Sequence, residues 1–317
     1  MMAQMNEMMS KTAAFLRERD CFEILTHDYP DGDTLGSGYA LCLVLQQMGK
    51  KARVITTSVP KDFTFLQKGV IPQEFEAQTV VSVDIADEKL LGKNREKYAG
   101  KIDLCIDHHM TNKIDAPLKL VEGYAAANCA ILYKLFRFMD VEFTREIANC
   151  LYTGVSTDTG CFRYTNTTAE TLRIGADILD IGCDSAYINK VMFETKTRKK
   201  IALEREIYDT IEYCFNDRCA IIAATLDIQR KLGVGDGELE GLATIPRQIE
   251  GVEIGITMRE KEPGVFKVSV RTNGEVNAAQ FCTRLGGGGH SAAAGCTVKG
   301  SLEEAKNKLK AVVEEVL

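Results

Sequence analysis

The stretch Lys101-Ile102-Asp103-Leu104-Cys105-Ile106-Asp107-His108-His109 decides the reading of this chain. Its apolar run has the length and bounding of a strand buried on both faces, although periodicity alone leaves a short helical segment open. It stops at an acid followed by two imidazoles. Two other stretches repeat the design: residues 22–26 run into His27-Asp28-Tyr29-Pro30-Asp31-Gly32-Asp33, and residues 79–83 run into Asp84. In an open parallel sheet the carboxyl ends of the strands face one crevice. Three strands ending this way would gather their His and Asp side chains there, as a metal site assembled from distant parts of the chain.

The chain has four histidines, His27, His108, His109 and His290. Three stand at these strand ends, and the fourth closes the run Gly286-Gly287-Gly288-Gly289. A lone histidine is most often a hydrogen-bonded structural residue, but that reading does not account for four that all stand beside acids or glycines.

Composition narrows the classes. A chain of 317 residues accommodates two domains of ordinary size, and 45% hydrophobic with 26% charged residues is usual for a globular protein. A net charge of -6 argues against the broad basic face that duplex DNA requires; a small anionic substrate held by metals remains open. The 11 cysteines are odd in number and form no Cys-x-x-Cys pair, which points to reduced thiols rather than a disulfide framework. The Met-rich start continues into Lys11, Arg17, Glu18 and Arg19 rather than an apolar core, unlike a signal peptide. No apolar run approaches the ~20 residues of a spanning helix. A cytoplasmic protein without a membrane partner is expected.

The pattern along the chain predicts an amphipathic helix over 5–20, strands over 22–26, 52–57, 78–84 and 101–107, and a helix over 34–48 stopped by Gly49. Strands alternating with helices imply a parallel sheet with right-handed crossovers. From residue 125 the pattern becomes helical over 128–138, 145–154, 169–179 and 198–213; the last, charged at its start, suits a linker between domains. Strands at 219–225, 252–259 and 265–271, with helices at 278–285 and 302–316, complete a smaller α/β domain. The expected boundaries are 1–190 for a catalytic domain, 191–213 for the linker helix and 214–317 for a substrate-binding domain.

Pro30 and Gly32 bend the first loop so that Asp31 and Asp33, two apart, point to different ions. Imidazole with several carboxylates suits a borderline-hard divalent ion such as Mn2+. Asp84, alone on its strand end, suits a bridge between two ions. A further acid, Asp158, lies in Gly154-Val155-Ser156-Thr157-Asp158-Thr159-Gly160, where small and hydroxyl neighbours let it reach the same crevice; taken alone it reads equally well as a turn or helix-end residue. Two metals about 3.5–4 Å apart activate water and clamp a phosphoryl oxygen, so phosphate-ester hydrolysis is the chemistry that uses all these parts. The glycine run offers backbone N–H groups to an anion, with Arg271 and Arg284 near in sequence.

The ordered motifs H-x-x-P-D-x-D-x-x-G-S at 27–37, Asp84, D-H-H at 107–109, S-T-D-T-G at 156–160 and G-G-G-H at 287–290 closely resemble the DHH phosphoesterase superfamily, over nearly the whole chain. The branch is the one with a C-terminal DHH-associated domain. Within it the chain resembles the bifunctional oligoribonuclease and phosphoadenosine-phosphate phosphatase group, the nanoRNases. The resemblance implies two Mn2+ ions, with Mg2+ or Co2+ as substitutes. His27, Asp31 and Asp84 would hold one, and Asp33, Asp84, His108 and Asp158 the other. His109 would face the scissile phosphate, with Asp107 orienting the histidine pair. Arg271 and Gly287, Gly288, Gly289 and His290 would hold the substrate's terminal phosphate or nucleotide across an interdomain cleft, and Arg163 is a further phosphate contact or a surface residue. It also implies a homodimer acting on short RNA or dinucleotides. Cyclic dinucleotides are the alternative substrate. Thr272-Asn273-Gly274 after Arg271, and Cys161 beside the Asp158 motif, depart from the pattern without touching the metal set and leave specificity open.

Overall fold

Short apolar runs become the strands of a five-stranded sheet in a computed structural model that describes residues 2–289 and 291–317. The strands β1 (Phe22–Leu25), β2 (Ala52–Ile55), β3 (Thr79–Val83), β4 (Leu104–Asp107) and β5 (Leu118–Val121) lie in the order β2-β1-β3-β4-β5. All four pairings are parallel. The strands that end in candidate ligands, β1, β3 and β4, are therefore neighbours at the centre. Register pairs Leu25 with Ser82 and Val83 with Ile106, so the chain leaves all three at the same edge. The sequence did not announce β5, which is short and carries Lys119 in its middle; it is placed by pairing with β4.

Helices α1 (Met2–Glu18), α2 (Gly32–Gln47), α3 (Arg95–Tyr98), α4 (Asn128–Phe138), α5 (Arg145–Asp158), α6 (Ala169–Asp180) and α7 (Ser185–Asn189) belong to the same compact unit, Met1–Thr195. One core sets Phe22, Ile24, Val81, Val83, Leu104 and Ile106 against apolar residues of α1, α2, α4 and α5. The opposite face is covered by Leu91, Tyr98, Ile102 and Ile114 around Leu25 and Cys105. Each large apolar side chain buried this way contributes about 1.5–3 kcal/mol. Helix α2 is buried from Gly32 through Leu45, so its apolar residues run all round it. Glycine makes the close approach to α5 feasible: a Cβ at Gly36 would lie 2.5 Å from the Cys150 carbonyl oxygen.

The second unit, Lys196–Leu317, begins with α8 (Arg198–Tyr208). The predicted helix over 198–213 stops early: residues 212–214 form β6 (Glu212–Cys214), which turns through Phe215, Asn216 and Asp217, all at positive φ, into β7 (Cys219–Ala224). Leu203 and Ile207 of α8 are buried against Ile222 and Ala224 of β7, which places this helix on the second core. Helices α9 (Leu226–Leu232) and α10 (Asp236–Leu239) precede β8 (Ile254–Glu262) and β9 (Val265–Thr272); α11 (Ala278–Thr283), β10 (Gly288–Gly289), β11 (Ala293–Lys299) and α12 (Leu302–Val316) follow. The strand order is β10-β11-β9-β8-β7-β6, with only β7 and β8 parallel. β11 opens with Ala293-Ala294-Gly295, residues of weak strand propensity, and is fixed by its seven-residue register with β9. No helix among the described residues is long and apolar enough to cross a membrane, and all 11 cysteines are free thiols.

Candidate metal centre

Each candidate ligand is fixed by the backbone next to it. Asp31 caps α2, its Oδ1 accepting from Asp33 N and Thr34 N at 3.1 Å each. Asp33 is fully buried in the first turn, and its two oxygens accept from Asn128 N at 2.6 Å and Cys129 N at 2.9 Å, at the start of α4. Asp158 is the last residue of α5 rather than part of a turn. Asp84 leaves β3 at φ 57°, a left-handed conformation that Asp and Asn tolerate better than other side chains.

The side chains converge. His27 Nε2 lies 3.6 Å from Asp31 Oδ1 and 3.9 Å from Asp84 Oδ2. His108 Nε2 lies 3.3 Å from Asp84 Oδ1, 3.4 Å from Asp158 Oδ2 and 3.9 Å from Asp33 Oδ2. Two sets of donor atoms, His27 with Asp31 and Asp84, and Asp33 with His108 and Asp158, each close to the spacing an ion demands. Asp84 turns one oxygen to each set.

Hydrogen bonding decides which nitrogen is free. His108 Nδ1 faces the Ala125 carbonyl at 3.2 Å, so Nδ1 carries a proton and Nε2 is the nitrogen directed at three carboxylates, where a metal or a proton can sit. His109 Nδ1 is 2.7 Å from Asp107 Oδ1. Its proton is committed there, so its 3.7 Å approach to Asp84 Oδ1 does not make Nδ1 a ligand, and only Nε2 is available to the cavity. Asp107 is completely buried, its Oδ1 also accepts from His108 N at 2.8 Å, and its Oδ2 accepts from Asn112 Nδ2 at 2.6 Å. Asn112 was not singled out from sequence; nothing in Met110-Thr111-Asn112 marks it until the fold turns it back onto Asp107.

The electrostatics ask for a cation. Burial, then the charge of neighbouring carboxylates, pushes Asp84 and Asp158 well above the usual carboxylate range, and burial raises Asp33. Burial opposes a charge on His108, yet the facing Asp84, Asp33 and Asp158 raise it to about 10. Asp107 stays below the usual range: burial pulls it up, and its bonds from His109 and Asn112 more than offset this. Asp84 Oδ1 is buried and accepts no hydrogen bond, a costly state for a carboxylate oxygen unless a cation satisfies it. The donor set therefore fits divalent metal ions. A cavity of about 390 Å³ opens over His27, Asp31, Asp84, His108, His109 and Asp158, with Tyr29, Lys89 and Leu90 also on its wall.

The remaining expected residues lie elsewhere. Arg163 is exposed; its Nε donates to the Gly160 carbonyl at 2.5 Å and its guanidinium lies 5.9 Å from the Phe193 ring centre. In the second unit Arg271 stands on β9, paired in register with Ala293 of β11, while Gly288 and Gly289 pair with Gly295 and Ala294 on the far side of β11. Gly287 packs so closely on Cys296 that a Cβ there would lie 2.5 Å from the Cys296 Cβ. His290 lies outside the described residues.

The N-terminal domain of the DHH family matches residues 22–155, and the DHHA1 domain matches residues 219–317. The chain is also 32% identical, over 93% of its own length and 89% of the relative's, to the bifunctional oligoribonuclease and PAP phosphatase NrnA of Thermus thermophilus. The chain belongs to the DHH family of phosphoesterases. A second NrnA-type relative, the probable bifunctional oligoribonuclease and PAP phosphatase NrnA of Streptococcus mutans, is 26% identical over 94% of this chain and 97% of that protein. The cyclic-di-AMP phosphodiesterase GdpP of Geobacillus thermodenitrificans is 23% identical over 95% of this chain, which corresponds to 48% of that protein. Among solved structures, an exopolyphosphatase-related protein from Bacteroides fragilis has the same fold, with a TM-score of 0.88 and 23% identity over 98% of this chain and 96% of that one.

Proposed function

We propose that this chain is a divalent-metal-dependent phosphodiesterase that cuts short oligoribonucleotides or linear dinucleotides to mononucleotides and also removes the 3'-phosphate of phosphoadenosine phosphate. The observation that carries the reading is Asp84, a buried carboxylate with one oxygen facing each of two ligand sets. The substrate class is supported by the similarity to NrnA proteins over almost the whole chain. Two ions, preferably Mn2+, held by His27, Asp31 and Asp84 and by Asp33, Asp84, His108 and Asp158, would supply Lewis-acid activation of water and neutralisation of phosphoryl charge.

The chain's own residues do the rest. Asp107 accepts from His109 Nδ1, which leaves Nε2 as the nitrogen available to the cavity; when Nε2 also carries a proton it donates to the phosphate and stabilises charge developing there. Asn112 fixes Asp107 in turn. Asp33, bonded to two backbone N–H groups of α4, cannot swing away from the site. Arg271 and the Gly287–Gly289 backbone bind the substrate's terminal phosphate; the guanidinium, and the sheet they share, support this.

The test is hydrolysis of a matched panel with Mn2+ and with chelator: a 5'-phosphorylated diribonucleotide, a longer RNA, a cyclic dinucleotide and phosphoadenosine phosphate, followed by product chromatography. Fastest turnover of the linear dinucleotide, abolished by chelator, is expected. Preference for the cyclic compound would replace the proposed substrate, and no turnover of any would refute the reading.

A further inference from the structure

Three large apolar side chains among the described residues are more than seventy per cent exposed: Tyr29 at 81%, Tyr124 at 76% and Met110 at 74%. All three lie in segments that carry or hold residues of the metal centre. Tyr29 lies in the loop between His27 and Asp31 and is part of the cavity wall. Met110 follows His109 directly, and Tyr124 precedes Ala125, whose carbonyl holds His108. Gly123 packs on Met110, so close that a Cβ there would lie 3.2 Å from the Met110 Cα, which keeps the two segments side by side.

Sheet order separates them into two groups. Tyr29 follows β1, Met110 follows β4 and Tyr124 follows β5, while Asp84 follows β3. In the order β2-β1-β3-β4-β5, β1 and β4 stand on either side of β3. Tyr29 is therefore on one side of Asp84, and Met110 with Tyr124 on the other. Exposed apolar area is normally scattered singly; here the most exposed groups flank a phosphate-handling centre. Lys89 is the one Lys or Arg among the described residues lining the cavity, which Tyr29 also lines. Its loop is docked on the metal loop by the bond from Asp28 N to the Leu90 carbonyl, 2.7 Å.

We infer that Tyr29 on one side, and Tyr124 with Met110 on the other, are stacking platforms for the two nucleobases that flank the scissile phosphodiester. This rests on the proposed phosphodiesterase reading and deepens it. Polyphosphate or pyrophosphate would have no use for two apolar platforms, whereas a phosphodiester joining two nucleosides presents one aromatic base to each side.

The experiment uses the full chain with Mn2+, the variants Tyr29→Ala, Tyr124→Ala, Tyr29→Phe and Tyr124→Phe, and three substrates: 5'-phosphorylated diadenylate and its two analogues lacking either the first or the second base. Each alanine variant is expected to raise KM for diadenylate about five- to a hundredfold with kcat retained, the range of a lost base stack. Each phenylalanine variant is expected to restore KM. On each analogue, one of the two alanine substitutions should cease to matter. KM unchanged within twofold in both alanine variants would overturn the inference while leaving the proposed activity standing. So would a KM rise undiminished on both analogues. Unchanged KM with an altered oligomeric state on size exclusion would assign the patch to contacts between copies instead, and also overturn it. A wild-type chain that hydrolyses none of the three substrates would overturn both readings.

Discussion

Replacing Asp84 with Asn separates the two demands on this residue, since the carboxylate that suits two ions is a liability without them. The substitution keeps shape, and Asn tolerates the φ of 57° that Ala would adopt at a cost. Without metal, Asp84 is buried beside Asp33, Asp31 and Asp158 with Oδ1 unsatisfied. An Asn amide removes the charge and can donate to those carboxylates. Relief of a buried unsatisfied acceptor is worth on the order of 1–3 kcal/mol. For a unit spanning Met1–Thr195 this is a rise of about 2–12 °C in Tm. A carboxyl whose folded pKa lies above its unfolded value holds its proton more tightly when folded. The metal-free wild type therefore loses stability as pH rises from about 4 towards neutrality, and the Asn variant's advantage grows over the same window. With metal the order reverses. The wild type gains ~2.7 kcal/mol at a metal concentration a hundred times Kd, and the variant much less. Its activity should fall more than about a hundredfold, beyond what loss of an outer-sphere partner costs. Thermal unfolding in chelator and in Mn2+, at pH 5 and pH 8, with diadenylate hydrolysis alongside, reads all of this. A variant less stable than wild type in chelator, or equally stabilised by Mn2+, refutes the reasoning.

Asn112→Ala frees Asp107 Oδ2 and loosens His109; activity should drop about 10–100-fold in steady-state kinetics while Mn2+ binding by calorimetry is kept. Gly154→Ala drives a Cβ into Cys129 Sγ and Asp33 Oδ1, and denaturant unfolding should show a loss of about 1–3 kcal/mol together with reduced activity. Gly237→Ala, which meets nothing within 4 Å, should be neutral or slightly stabilising as a control. Glu23 is buried under Arg53, with contacts of 2.6 and 3.2 Å, and the Tyr98 hydroxyl at 2.8 Å. Burial opposes its charge, but these partners hold its pKa below the usual range. Glu23→Ala should cost about 1.5–3 kcal/mol at neutral pH, the worth of hydrogen bonds to a charged group, since the Arg53 it leaves behind is partly exposed to water. That contribution is present above a pH of about 4.3 and lost as pH falls through the lowered folded pKa, so the two chains' denaturation midpoints should converge in acid.

What the sequence made legible follows from how local each signal was. The strand ends were visible because a buried parallel strand needs a continuous apolar run, and His or Asp at its end breaks that run abruptly; His27, Asp84, Asp107 and His108 all stand out this way. Helices 128–138 and 302–316 were readable to the residue because their apolar spacing is uninterrupted. β5 and β11 were not, because Leu118–Val121 and Ala293–Lys299 owe their conformation to the strand beside them rather than to their own residues. The same division runs through the site. The ligands could be proposed from residue type and position, yet what aims them could not. The Ala125 carbonyl fixes the His108 tautomer, two N–H groups of α4 pin Asp33, and Asn112 reaches back five residues to Asp107. A carbonyl or backbone N–H leaves no trace in residue identity. The sequence can therefore name candidate ligands by residue type, while the direction each side chain faces is a property of the folded backbone.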